Sequence, residues 1–123
     1  MKTIDNEIVK LEILTSAIED MSGLYEIIWG LNTIYPDVSE NIKISVAQPI
    51  IKLFLQTGLV QLYKCKWNTD QEEILSPSDW NRVIDNVLNW NIANDSGDYF
   101  AFYQTDIITM DAYNKQYQKV YGL

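Results

Sequence analysis

The side chains of this chain that could do chemistry are carboxylates and aromatic rings, concentrated in one stretch. Residues 68–111 hold nine Asp or Glu against Arg82 alone, a local charge of −8. Beside those acids lie Trp67, Trp80, Trp90, Tyr99 and Tyr103. Acids in that density steer a cationic partner toward the surface, and rings supply the desolvated area that anchors it. The residues expected to contact such a partner are Asp70, Glu72, Glu73, Asp85, Asp95, Asp98, Trp67, Trp90, Tyr99 and Tyr103. The competing reading makes the loop acids a solvated face and Trp80, on the stripe of a helix, a core residue.

Catalysis is poorly served. The chain has no histidine, which removes the commonest general base and the commonest zinc ligand together. Its single cysteine, Cys65, has no partner for a disulfide and no metal-ligand spacing, consistent with a reducing compartment. Glu72 and Glu73 are adjacent in a polar stretch, without the burial that shifts a carboxylate pKa. Asn94-Asp95-Ser96-Gly97-Asp98 lacks the third spaced ligand and the terminal bidentate Glu of a calcium loop, and reads as a turn. No enzyme activity, cofactor or metal is expected.

The remaining charge is nearly balanced. Residues 1–67 carry six Lys and eight acids, residues 112–123 add Lys115 and Lys119, and the whole chain stands at −8. A protein that grips a duplex gains most of its non-specific affinity by neutralising phosphates. Lys64 and Lys66 beside Trp67 are too few for that, and Lys43 and Lys52 are offset by Asp37 and Glu40. Nucleic acid is therefore a disfavoured partner. With 123 residues, 47% of them hydrophobic, the chain supports one core and one domain, residues 1–123. Runs such as Pro49-Ile50-Ile51 fall far short of the roughly 20 apolar residues that cross a bilayer, so no membrane partner is expected. Met1-Lys2-Thr3-Ile4-Asp5-Asn6-Glu7 turns acidic where an export signal would become apolar, which favours a cytoplasmic address.

The elements that must position these groups follow from periodicity and caps. Ile4, Ile8, Leu11, Leu14 and Ile18 recur at helical steps over about residues 4–20, and Ser22-Gly23 breaks the helix. A second helix begins near Leu24, with Ile27, Ile28 and Leu31 inward, and stops before Pro36. Ser39 caps a third, about Glu40 to Thr57, which Pro49 either kinks or restarts near Gln48, and Gly58 ends it. Leu59 to Trp67 is rich in strand formers, and Asn68 to Glu73 reads as a polar loop. Ser76-Pro77-Ser78-Asp79 opens a fourth helix whose stripe is Trp80, Val83, Ile84, Val87 and Leu88. Asn91 to Asp98 reads as a loop, Tyr99 to Thr105 as a strand aromatic or small on both faces, and Met110, Tyr113, Tyr117 and Val120 mark a last helix.

The expected fold is therefore α+β and mostly helical, a winged-helix-like core with a helix-containing insertion, about 68–98, between the two wing strands, and a C-terminal helix. Gly23-Leu24-Tyr25-Glu26-Ile27-Ile28-Trp29, Gly58-Leu59-Val60-Gln61-Leu62-Tyr63, Ser78-Asp79-Trp80 and Tyr99 to Thr105 carry a resemblance. In these segments the chain resembles small winged-helix-like bacterial proteins, including immunity proteins of contact-dependent growth inhibition and antitoxin partners of toxins. The resemblance implies a protein that binds and neutralises a basic toxin, in the sharpest form a nuclease, by covering its nucleic-acid-binding surface. The alternative it leaves open is a winged-helix transcriptional regulator or adaptor. The oligomeric state is not legible from the sequence.

Overall fold

The computed structural model describes residues 3–91 and 97–122, and within them the chain is α+β and mostly helical. Helix α1 (Asn6–Glu19) leads through the two-residue strand β1 (Ser22–Gly23) into α2 (Leu24–Ile34) and α3 (Glu40–Gln56). Strand β2 (Val60–Lys66) and β3 (Glu72–Ile74) follow, then α4 (Pro77–Asp85), a short 3₁₀ helix (Val87–Trp90), β4 (Asp98–Gln104) and α5 (Ile107–Tyr121).

Local chemistry sets these boundaries. Asp5 caps α1 by accepting from the Glu7 N–H, Ser39 caps α3 by accepting from the Ile42 N–H, and Glu26 reaches back to the Gly23 N–H at 2.6 Å. Gly58, at φ +77°, ends α3: the Leu59 N–H donates to the Phe54 carbonyl at 2.8 Å, a closure that needs the left-handed geometry only glycine adopts cheaply. Thr105 Oγ1 donates to the Gly58 carbonyl and Thr109 Oγ1 to the Leu59 carbonyl, each at 2.6 Å, so the start of α5 is pinned to that same turn.

The sheet is antiparallel with strand order β1-β4-β2-β3. Helix α3 runs unbroken from Glu40 through Pro49, so of the two outcomes expected at Pro49, a kink or a restart near Gln48, the restart does not occur. Residues 72–74 form a strand instead of continuing a polar loop: Ile74, Glu73 and Glu72 pair with Tyr63, Lys64 and Cys65. Strand β2 thus has its own hairpin partner, and the rest of the insertion returns to pair β4 on its other edge. The apolar stripe expected to run from Trp80 to Leu88 also breaks, because regular helix ends at Asp85. Val83 and Ile84 are buried, whereas Val87 and Leu88 point to solvent.

The core joins Val9, Ile13 and Leu14 of α1, Leu24, Ile27 and Leu31 of α2, Ile51 and Leu55 of α3, Leu62 of β2 and Phe102 of β4. Lys43 of α3, counted from the sequence only as a charge offset by Asp37 and Glu40, is 1% exposed and donates from Nζ to Asn32 Oδ1 at 2.6 Å.

Glu7 ties the first helix to the last. It accepts from Gln116 Nε2 at 2.7 Å and Lys119 Nζ at 3.1 Å, with Lys10 Nζ at 3.4 Å. The Gln116 bond, then the Lys119 bond, hold its carboxyl down at about 2, against the ordinary value of 4.5. A carboxylate with its folded pKa depressed stabilises the fold above the unfolded value and loses that contribution as pH falls from about 4.5 toward 2. Because Glu7 is about one third exposed, solvent screens the group and the contribution is about 1 kcal/mol. Urea unfolding of Glu7→Gln should show that deficit at pH 7, narrowing as the pH drops below 4.5. A deficit independent of pH would assign the loss to packing.

Candidate functional site

The register of β2 and β4 sorts the sheet into two faces. Leu62 stands opposite Phe102 and Val60 opposite Gln104, and Val60, Leu62 and Phe102 lie in the core under the helices. The other face carries Tyr63 opposite Ala101, Cys65 opposite Tyr99, and Gln61 opposite Tyr103, with Ile74 of β3 alongside Tyr63. None of these belongs to the main core. Tyr63, Tyr99 and Tyr103 are half-buried, and Ile74 is 60% exposed.

Rings continue this face onto α2. Trp67 stacks on Tyr99 with centroids 4.2 Å apart and planes 28° from parallel. Tyr25, in the first turn of α2, approaches Trp67 at 5.9 Å and Tyr99 at 6.3 Å, and meets Trp29 edge-on at 4.9 Å. Tyr25 can fold down because Gly23 lies beneath it; a Cβ at Gly23 would collide with the ring. The chain of four rings ends in Trp29, which is 54% exposed. Offset and edge-on pairs of this kind add roughly 0.5–1.5 kcal/mol each beyond their burial.

Beyond Trp29 opens a groove of about 360 Å³, walled by Tyr25, Ile28 and Ile44, floored by Trp90, and rimmed by Glu40, Asn41, Val87 and Leu88. Leu88 is 67% exposed and Val87 48%. Trp29, Val87 and Leu88 thus form an exposed apolar rim around a half-open depression.

No known family, characterised protein or solved structure matches this chain.

Of the residues expected to contact a partner, Trp67 and Tyr99 come together in the ring cluster. Tyr103 lies further along the same sheet face and accepts from Gln104 Nε2 at 3.2 Å. Trp90 is not a surface anchor: it is 2% exposed, and its Nε1 donates to the Ile84 carbonyl at 2.9 Å, which makes it core. Asp70, Glu72 and Glu73 are exposed on the β2–β3 hairpin, with Glu73 directly across from Lys64. Asp98 lies 3.6 Å from Lys64 and Asp85 2.5 Å from Lys52, so both are already engaged within the chain. Asp95 lies outside the described residues.

Tyr25, Trp29 and Leu88 are contributors not expected from the sequence. The signal for two of them was present: Tyr25 and Trp29 are an i,i+4 aromatic pair on a helix whose inward stripe, Leu24, Ile27, Ile28 and Leu31, is complete without them. Leu88 gave no such signal, since it sits at helical spacing from Ile84 and surfaces only because the helix ends early.

The site's titratable groups are arranged for packing. Burial, with Cys65 beside it, pushes the Tyr99 hydroxyl up to about 12. Burial likewise raises the Cys65 thiol, which lies 3.7 Å from Met21 Sδ, so thiolate chemistry is suppressed there. Among the described residues no three Cys, Asp or Glu converge where a metal ion could sit.

Proposed function

We propose that this chain is a protein-binding module that captures a basic partner through its aromatic face, most concretely an immunity or antitoxin protein covering the nucleic-acid-binding surface of a toxin. The supporting observation is the ring cluster Tyr25, Trp29, Trp67 and Tyr99, running to an exposed edge on a chain of net charge −8. The scaffold under this reading is winged-helix-like: helix, strand, two helices and a strand precede β4, which joins β1 to β2, and the insertion occupies the wing.

The regulator alternative finds less support. In a winged helix the outward side of α3 would enter the major groove. Here that side carries Ile42, 52% exposed, Pro49 and Leu53, 46% exposed. Its two lysines are withdrawn, Lys43 into the core and Lys52 onto Asp85. A helix presenting isoleucine, proline and leucine has little to offer phosphates.

The test is co-expression with the product of the adjoining reading frame and measurement of the complex by titration calorimetry. A complex is expected that weakens as salt rises. Trp29→Ala should raise its dissociation constant at least about tenfold through the off-rate, and Asp70/Glu72/Glu73→Ala should act on the on-rate. Absence of a complex at low salt, combined with retardation of duplex DNA in the same buffer, would replace this reading with the regulator.

A further inference from the structure

Resting on the reading of a basic protein partner, we propose that the groove beside Trp29 is the receptor for one arginine side chain of that partner. Three properties of the groove select this chemistry. Among the described residues its lining holds no Lys or Arg, and Glu40, the one carboxylate among them, makes no side-chain hydrogen bond or ion pair with another described residue. The same holds for the Asn41 side chain beside it. The exposed carboxylate and the exposed amide on one rim are acceptors that a donor with more than one N–H can meet together.

The second property is the wall. Trp29 stands half out of the surface, held edge-on by Tyr25, and so offers its indole to an incoming planar cation. A guanidinium stacks on such a ring while its fork reaches a carboxylate, a combination that a compact, strongly hydrated ammonium satisfies less well. The third is the rim. Val87 and Leu88 give the methylene stem of the side chain apolar surface to cover.

The opposing effect is the N-terminus of α3, whose backbone N–H groups present positive charge near Glu40. It is outweighed, because the terminus amounts to about half an elementary charge, Ser39 already occupies the Ile42 N–H, and Glu40 carries a full charge. The groove volume of about 360 Å³ suits one long side chain; it lies at the low end of the roughly 300–1,000 Å³ of sites that take whole small molecules.

The experiment titrates the full chain with Nα-acetyl-arginine amide, its neutral citrulline analogue and Nα-acetyl-lysine amide, reading the indole N–H resonances by NMR. Arginine should shift the Trp29 indole saturably with an affinity of about millimolar, as expected for a ligand of this size. Lysine should bind several-fold more weakly, and citrulline should leave Trp29 in place. Glu40→Gln should weaken arginine binding at least about fivefold while lowering the melting temperature by only a few degrees, the loss of one first-turn charge, and Leu88→Ser should weaken binding less. An unmoved Trp29 resonance, an equal response to citrulline, or no effect of Glu40→Gln overturns the proposal. If the probe fails while the complex with the adjoining gene product still forms, the groove assignment falls and the broader reading stands; if neither binds, both fall.

Discussion

Phe102→Ala is expected to lower the unfolding free energy by about 3–5 kcal/mol, the range for emptying a fully buried aromatic site. Phe102 is completely buried in β4, opposite Leu62 on one side and Ser22 on the other, so its ring fills the junction between the sheet and the helices. Neighbours held in two strand ladders cannot collapse into the space it leaves. Since a domain of this size has total stability of about 5–15 kcal/mol, the loss is a large share, and the midpoint of thermal unfolding should fall by about 10–20 °C. Phe100→Ala, at a half-buried position on the same strand, should cost clearly less. Calorimetry of the two variants checks this, and equal losses would mean that the core is centred elsewhere.

The second large effect is expected at Asn32. Its Oδ1 is the acceptor for Lys43 Nζ at 2.6 Å, and Lys43 is 1% exposed. Asn32→Ala removes that acceptor and leaves a buried donor unmet, at a cost of about 2–3 kcal/mol. Lys43→Met should be nearly neutral, because methionine follows the same unbranched path through the core without a group to satisfy. The double variant should therefore recover most of the loss, a coupling of about 2 kcal/mol in a double-mutant cycle. Urea unfolding of the four proteins measures it. Additive effects would show that Lys43 finds water by another route.

How much of this architecture was legible in the sequence depended on whether a signal was local. The cap Ser39, the stop at Gly58 and the buried stripe of α2 are encoded within a few residues, and the structure follows them closely. β3 escaped because Glu72 and Glu73 look like loop residues in isolation; what makes them a strand is the edge of β2, supplied by residues that precede them. Val87 and Leu88 escaped for the opposite reason, since their spacing continued a helix that the backbone abandons at Asn86, where the side chain turns to accept from the Leu88 N–H.

At the site the difference is sharper. Trp67 and Tyr99 could be singled out as rings beside the acidic stretch, but their stacking depends on a register between strands more than 30 residues apart. Trp90 could not be told from Trp67 by composition; one is turned inward by a hydrogen bond to Ile84 and the other stays on the face. Counting acids located the charge yet not its availability, because Asp85 and Asp98 meet lysines from α3 and β2.

The position of β4 sets a timetable for the molecule. The strand that stands between β1 and β2 comes from residues 98–104, so during synthesis the first three quarters of the chain emerge with nothing to join those two strands. Until β4 arrives, β2 has one bare edge and Leu62 lacks its cover, a state prone to pairing with the wrong chain. Closure of the sheet is then a late event that brings residues 22 and 102 together across most of the polypeptide, and such distant pairings are slow to find. Products that stop short of β4 would carry the exposed edge permanently, which makes them natural substrates for the cell's proteases.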